Sequence, residues 1–369
     1  MDAFKIHFQH WSDRIKDYHQ QYGPYLPAMA FGAGFLLDIF TLGEVDDWSN
    51  IFVLTVYLLG VLAILITEYL EIDKSVHSNT FISNFFIYRN DIFHFMLGAL
   101  LSAFTLFFFK SSSLSNSFIF MILMVSLLLL NEIEFFKRQG IIMRSALSML
   151  CFVSYLVYLI PIFAGRANSI IFYSCTLMAL AASITGHYYL TKYNSRKWEN
   201  LKKLLLPQLA VVLTFASLYT LKILPPIPLS IKEIGIYHDV QKTDGKYITR
   251  DLTSWLNFWS SGDTDFQARA GDKVYVFAKI FSPGGFAGKI YLRWLKKTQD
   301  GYITSDRITL KITGGRAQGY RGYAYKSNYS PGQWQVRIET EEGLEIGRIG
   351  FEIFIDPETQ QRNYNEISH

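Results

Sequence analysis

Seven apolar runs, each long enough to cross a bilayer or nearly so, precede residue 225 of this 369-residue chain. They are Tyr25–Leu42, Ile51–Leu70, Ile92–Phe109, Ser117–Asn131, Ser145–Ala164, Ser169–Leu190 and Leu204–Leu224. About 20 apolar residues in a helix cover the roughly 30 Å hydrocarbon core, and a helix satisfies its backbone polar groups internally. The pattern predicts a membrane α-helical bundle of seven transmembrane helices over 25–224. The fourth run is the shortest, because Asn131, Glu132 and Glu134 crowd its end. Small residues four apart (Ala28/Gly32, Ala30/Gly34, Gly98/Ser102, Ala182/Gly186) would let helix backbones approach closely.

The charges orient the bundle. Alternate connecting segments carry 13 Lys/Arg on one side and three (Lys110, Arg166, Lys222) on the other. Positive residues stay in the cytoplasm. The asymmetry predicts a bacterial inner-membrane protein with a cytoplasmic N-terminus and a C-terminal domain outside. Residues 1–24 form an amphipathic stripe of Phe4, Phe8, Trp11, Ile15, Tyr18 and Tyr22. A helix lying in the inner interface fits that spacing, as does a short helix packed on the bundle. The stretch is too polar for a cleavable signal peptide.

A Pro-rich joint, 225–229, closes the last run, since proline disfavours helix before it. Charge density changes there: residues 1–224 hold 16 Lys/Arg and 14 Asp/Glu, and residues 225–369 hold 19 and 17. From about Ser230 the apolar pattern has period two. Ile290, Leu292 and Trp294 share one face, as do Trp334, Val336 and Ile338, and Ile349, Phe351 and Ile353. Glu342-Gly343 reads as a tight hairpin turn. Seven to nine short strands predict an all-β soluble domain over 230–357, an antiparallel β-sandwich or else a small barrel, followed by a polar tail over 358–369. The domain has no cysteine, because Cys151 and Cys175 both lie within apolar runs. Its core alone must hold it.

The run Phe31-Gly-Ala-Gly-Phe-Leu-Leu-Asp38-Ile-Phe-Thr41-Leu-Gly43, the joint from Pro225 to His238, and the segments Gly314–Lys326 and Gly332–Phe351 resemble a bacterial family of multi-spanning membrane proteins. Their C-terminal module is known only as a domain of unknown function. Some relatives carry the module alone, with a His-Arg-Trp run in a middle strand. Here the matching residues are Leu292, Arg293 and Trp294, so any role of that His is absent. The resemblance implies a bacterial envelope protein and brings no assigned activity.

No catalytic or nucleotide-binding signature is present: HExxH, GxSxG, P-loop, paired CxxC and dinucleotide fingerprint are all missing. No cofactor is expected. A net charge of +4 is too small to argue for nucleic acid. His7 and His10 have helical spacing but lie beside the interfacial stripe, so no metal is expected. Ionisable residues inside apolar runs are functional candidates by default. Asp38 is the deepest; it reads either as a lock onto Thr41 or a neighbouring helix, or as the lining of a polar cavity. Glu68, His94, Glu132, Glu134 and His187 fall at one depth on the inner side, as a proton- or cation-binding vestibule or as interfacial groups paired with Lys137, Arg138 and Lys192.

In the outer domain, Gly314–Lys326 combines Arg316, Tyr320, Arg321, Tyr323, Tyr325 and Lys326 with four glycines. Tyrosine beside arginine suits stacking on, and hydrogen bonding to, a glycan, lipid headgroup or peptide. In a strand, Arg321, Tyr323 and Tyr325 would share one face, and Tyr320, Gly322, Ala324 and Lys326 the other. A glycine-rich turn into an ordinary strand explains the same residues. The expected partners are therefore membrane lipids and an envelope glycan, lipid or protein bound by a sensor or scaffold. The alternative is a transporter or lipid-modifying enzyme working through the bundle.

Overall fold

The computed structural model describes residues 35–36, 38–70, 80–112, 117–132, 140–193, 197–252, 261–284, 286–313, 319–358 and 360–369. The interfacial stripe over 1–24, most of the first apolar run, Trp255, Trp259 and Arg316 lie outside them. After a helical end at Thr41 come α1 (Trp48–Tyr69), α2 (Thr80–Lys110), α3 (Phe118–Glu132), α4 (Gly140–Ala164), α5 (Ser169–Tyr193) and α6 (Lys197–Thr220).

Four of these helices are long and apolar enough to cross a membrane, over Trp48–Tyr69, Arg89–Lys110, Gly140–Ala164 and Ser169–Leu190. At 1.5 Å per residue, 22 residues reach about 33 Å. The apolar parts of α3 (Phe118–Leu130) and α6 (Leu204–Thr220) are shorter. Among the described residues, four of the seven expected spans are thus long and apolar enough, and most of the first lies outside them. In the fourth run, polar residues follow Leu130 directly; in the last, the helix ends at Thr220, ahead of the Pro-rich joint. Lys222 adopts φ +58° there, and the Ile223 and Leu224 N–H groups both reach back to the Leu218 carbonyl.

Helix α4 packs against α1, α2, α5 and α6 and forms the axis of the bundle. Tyr158 on α4 stacks on Phe107 at 4.9 Å and donates its phenol to the Val45 carbonyl at 2.6 Å, so its own buried hydroxyl is satisfied. Phe52, Leu59, Ile170, Leu177, Leu206 and Leu213 face outward and are exposed. A bundle in water would turn polar residues there, whereas hydrocarbon favours this arrangement.

The C-terminal region contains three sheets. The first holds β1 (Ser230–Tyr237), β4 (Ser261–Gly262), β6 (Val274–Phe281) and β9 (Tyr320–Lys326) in the order β4-β1-β6-β9. The second holds β5 (Asp265–Ala268), β7 (Ala287–Thr298), β8 (Gly301–Thr313), β10 (Gly332–Thr340) and β11 (Glu345–Ile355) in the order β5-β11-β10-β7-β8. Between these two sheets lies a core of Ile236, Phe266, Val276, Ile290, Leu292, Trp294, Trp334, Val336, Ile338 and Phe351. The alternating faces expected in the strands of β7, β10 and β11 do form this core.

Two features depart from a simple antiparallel sandwich. Strands β4 and β5 pair in parallel, β4 with β1 and β5 with β11. The chain crosses from one sheet to the other between them, and segments so short carry no readable alternation. A third sheet, β12-β3-β2, combines β2 (Asp239–Thr243), β3 (Lys246–Asp251) and β12 (Asn365–Ser368). Its Tyr247, with Tyr237 and Val240, covers Phe277 on the outer face of β6. The polar tail thus supplies a strand. Arg362 in that tail is buried against Asp272, Asp356 and the Gln267 carbonyl.

The β region docks directly on one end of the bundle. In the β10–β11 hairpin, Gly343 sits at φ +80°, as a tight turn requires. The preceding Glu342 accepts hydrogen bonds from the Ser169 N–H at the start of α5 (2.6 Å) and from the Tyr219 hydroxyl (2.7 Å). Lys232 pairs with Glu44 at 2.6 Å, and the Gly284 N–H reaches Asp46 at 3.2 Å.

Candidate functional site

Strand β9 alternates as its sequence predicts. Arg321, Tyr323 and Tyr325 point away from the sandwich core; Tyr320 packs against that core, and Lys326 is buried. Lys326 pairs with Asp306 and lies 5.4 Å from the Trp334 ring centre, so it serves the interior. Of the six residues expected to form one site, three share the outer surface, two face inward, and Arg316 lies outside the described residues.

The outward three acquire neighbours from other strands. Tyr275 on β6 lies opposite Tyr325, and Tyr247 on β3 reaches the same surface. The ring centres run Tyr247–Tyr323 at 6.1 Å, Tyr323–Tyr275 at 6.3 Å and Tyr275–Tyr325 at 5.5 Å. Tyr323 is 37% exposed and Tyr325 49%, so two rings of the ladder are partly open to solvent. Three cations frame it: Lys273 lies 4.6 Å from the Tyr325 ring centre, with Lys242 at 5.5 Å and Arg321 at 5.9 Å from that of Tyr247. Burial, then the nearby Asp239 carboxylate, raises the Tyr275 phenol. The platform can stack on a flat or ring-shaped ligand and donate hydrogen bonds at its edge. Sequence reasoning missed Tyr247, Tyr275 and Lys273. Tyr275 was visible as an outward position of a half-buried strand, but nothing local says which strand lies beside β9.

The intramembrane candidates do not assemble into one site. Asp38 accepts a hydrogen bond from Ser102 on α2 at 2.5 Å, which is a lock between helices. Glu68 pairs with Arg144 on α4 at 2.8 Å, and the two side chains are 20% and 11% exposed. Arg144 was not among the expected partners. Its guanidinium also lies 5.5 Å from the Phe93 ring centre, beside buried His94. His187 is buried edge-on to Tyr69 at 5.9 Å, and its Nε2 meets no hydrogen-bond partner among the described residues. It alone of the four lines a cavity of about 220 Å³, with Tyr69, Ser148, Met149, Ser183 and Gln208. The Ser183 hydroxyl donates to Gln208. Most of the remaining lining is apolar, with Leu62, Leu65, Ile66, Phe152 and Leu190. The expected vestibule joining Glu68, His94 and His187 is therefore not this cavity. Among the described residues no cluster of His, Cys, Asp or Glu is arranged to hold a metal.

A family described as a protein of unknown function, DUF2914, matches residues 287–353, the segment from β7 into β11. No curated protein matches the chain. Two solved structures show weak likeness. An immunoglobulin-like protein from Pseudomonas aeruginosa is 13% identical over 34% of this chain and 96% of its own, with a TM-score of 0.21. The Pseudomonas fluorescens alkylpurine DNA glycosylase AlkC, bound to DNA containing an abasic site analog, is 10% identical over 84% of this chain and 99% of its own, with a TM-score of 0.22. At those scores neither likeness bears on fold or function.

Proposed function

We propose that this protein is a sensor or scaffold of the bacterial inner membrane, whose bundle holds the β region on the outer surface to bind an envelope glycan. The observation that carries this reading is the ladder of Tyr247, Tyr323, Tyr275 and Tyr325 framed by Lys273, Lys242 and Arg321. Sugar rings offer C–H faces to tyrosine, and their hydroxyls and acidic groups suit phenols and cations. Placement outside is supported by where the β region docks. It sits at the bundle end bearing Glu44, Asp46 and Ser169, while the connecting segments rich in Lys and Arg belong to the opposite end.

The test uses the full chain in nanodiscs with soluble muropeptides as probe. Wild type should bind, and the double variant Tyr323→Ala with Tyr325→Ala should bind at least about tenfold more weakly, as expected for a loss of ~1.4 kcal/mol. Equal binding by both proteins would remove the platform from the function. A second reading rests on the cavity at His187, which has the size and mixed lining to hold part of an amphiphile. Filling it with Ser148→Phe should displace any lipid that survives gentle delipidation, read by native mass spectrometry.

A further inference from the structure

The sheet that faces the other way carries an arrangement that folding alone does not explain. Arg348 lies directly opposite Arg337, Arg337 opposite Arg293, and Arg293 opposite Arg307. Four arginines therefore stand in one row across β11, β10, β7 and β8, all on the face away from the sandwich core. Like charges directly opposite one another in a sheet are destabilising. Only part of the repulsion is relieved. Glu339 pairs with Arg293 at 2.5 Å, and Glu345 takes both a 2.5 Å bond from the Nε and one from the Nη2 of Arg348. Arg307 lies 3.8 Å from the Tyr291 ring centre. These four cations and two buried carboxylates leave two positive charges in excess.

The centre of the row keeps open donors. Arg337 donates from Nε to Gln335 at 2.7 Å. Among the described residues its two terminal amino groups meet no acceptor. Burial, then Arg348, lowers its guanidinium from the ordinary value. A half-buried planar fork with open donors, flanked by fixed guanidiniums, is the geometry that grips a carboxylate or phosphate bidentately. The excess of two charges matches a phosphate better than a single carboxylate.

We propose that the row of Arg293, Arg307, Arg337 and Arg348 is a binding site for a phosphate-bearing ligand, with Arg337 as its central contact. The site is separate from the tyrosine platform and does not depend on it. Its height above the membrane is set by the hairpin. Arg337 lies three residues before the end of β10 at Thr340, about 10 Å of strand, and the turn carrying Glu342, the contact with the bundle end, follows. At that height either a free phosphate or a headgroup that projects from the bilayer can be reached.

The experiment uses the full chain in phosphatidylcholine nanodiscs, titrated with inorganic phosphate and pyrophosphate at constant ionic strength, and separately in nanodiscs containing phosphatidylglycerol. Binding is read by calorimetry and by the shift in melting temperature. Arg337→Gln should weaken phosphate binding roughly tenfold or more. In the absence of ligand the same variant should melt at or above the wild-type temperature, because it removes like-charge repulsion. Arg307→Gln, whose guanidinium rests on Tyr291, gives an independent second reading with the same expected sign. Stabilisation by phosphate or pyrophosphate that depends on Arg337 identifies a soluble source, and stabilisation only by phosphatidylglycerol identifies a lipid source. Either supports the site. The proposal is overturned if neither probe distinguishes wild type from both variants, or if Arg337→Gln is destabilising and binds phosphate as wild type does.

Discussion

Replacing Glu342 by glutamine should loosen the joint between the β region and the bundle without disturbing either part. The carboxylate receives two hydrogen bonds, from the Ser169 N–H at 2.6 Å and the Tyr219 hydroxyl at 2.7 Å. Ser169 opens α5, where Asn168 already caps the Ile171 N–H, so Glu342 satisfies a second free donor of that helix end. Burial of the carboxyl raises its pKa, but the bonds from Ser169 and Tyr219 and the nearby Lys222 outweigh burial and hold it below the usual range. Hydrogen bonds to a charged group contribute about 1.5–3 kcal/mol each, and a carboxylate at a helix N-terminus about 0.3–1 kcal/mol. Glutamine keeps one acceptor and turns a donor toward the other partner, so the expected loss is ~2 kcal/mol. If the joint opens locally, that loss corresponds to roughly 30-fold faster amide exchange. The assay is hydrogen exchange by mass spectrometry on the full chain in nanodiscs, following peptides that cover 167–175 and 338–346. Exchange in the rest of the sandwich core should not change. Because the folded carboxyl is held low, its contribution is present above the ordinary glutamate range and is lost as pH falls through the lowered value. The pH effect should be absent in Glu342→Gln. A change of less than about threefold at both peptides, or an equal change throughout the β region, would refute the assignment of Glu342 as the link.

Three further outcomes follow from the geometry. His238 is buried, stacked on Phe266 at 4.0 Å and 3.6 Å from Asp263. Burial and then Arg362, with Arg269, lower it from 6.5 to about 4 against the opposing Asp272. Its contribution to stability is complete above the unfolded value and is lost as pH falls from about 6.5 toward 4, costing about 1–3 kcal/mol; His238→Asn should flatten the melting temperature across that window. Arg144→Leu leaves Glu68 as an uncompensated, mostly buried charge and should cost about 3 kcal/mol, much of it restored by adding Glu68→Gln, as read by melting in detergent. Tyr325→Ala should cost no more than about 1.5 kcal/mol, the loss of one ring contact with Tyr275 on a ring 49% exposed, so a folded variant that loses ligand binding loses it through the contact itself.

Which segments form strands, and which strand face turns inward, was legible from the sequence because those signals are local. Trp334, Val336 and Ile338 alternate with polar neighbours, and Gly343 marks the turn to the next strand. The β9 alternation likewise separates Arg321, Tyr323 and Tyr325 from the inward-facing residues. The site that results was not legible as a whole. Tyr247 and Tyr275 come from strands far away in sequence, and Lys326 looks like a surface cation until Asp306 and Trp334 are placed beside it. In the bundle, the polar residues near one depth were visible, but their partners were not. Depth is read along a helix, whereas partnership depends on how neighbouring helices rotate about their axes. Glu68 thus finds Arg144, and Asp38 finds Ser102.

What the sequence determined by itself is what depends on solvent: apolar length demands hydrocarbon, charge density separates the bundle from the β region, and period two turns one strand face inward. These follow from transfer free energies that each segment carries alone. The tertiary structure decided which strands lie side by side, and hence that four arginines from four strands stand in one row while tyrosines from three strands form a ladder. It also decided that Glu342 meets a helix end more than 170 residues earlier in the chain. Such contacts depend on register and docking, which reflect the packing of the whole domain and leave no local trace in the residues that make them.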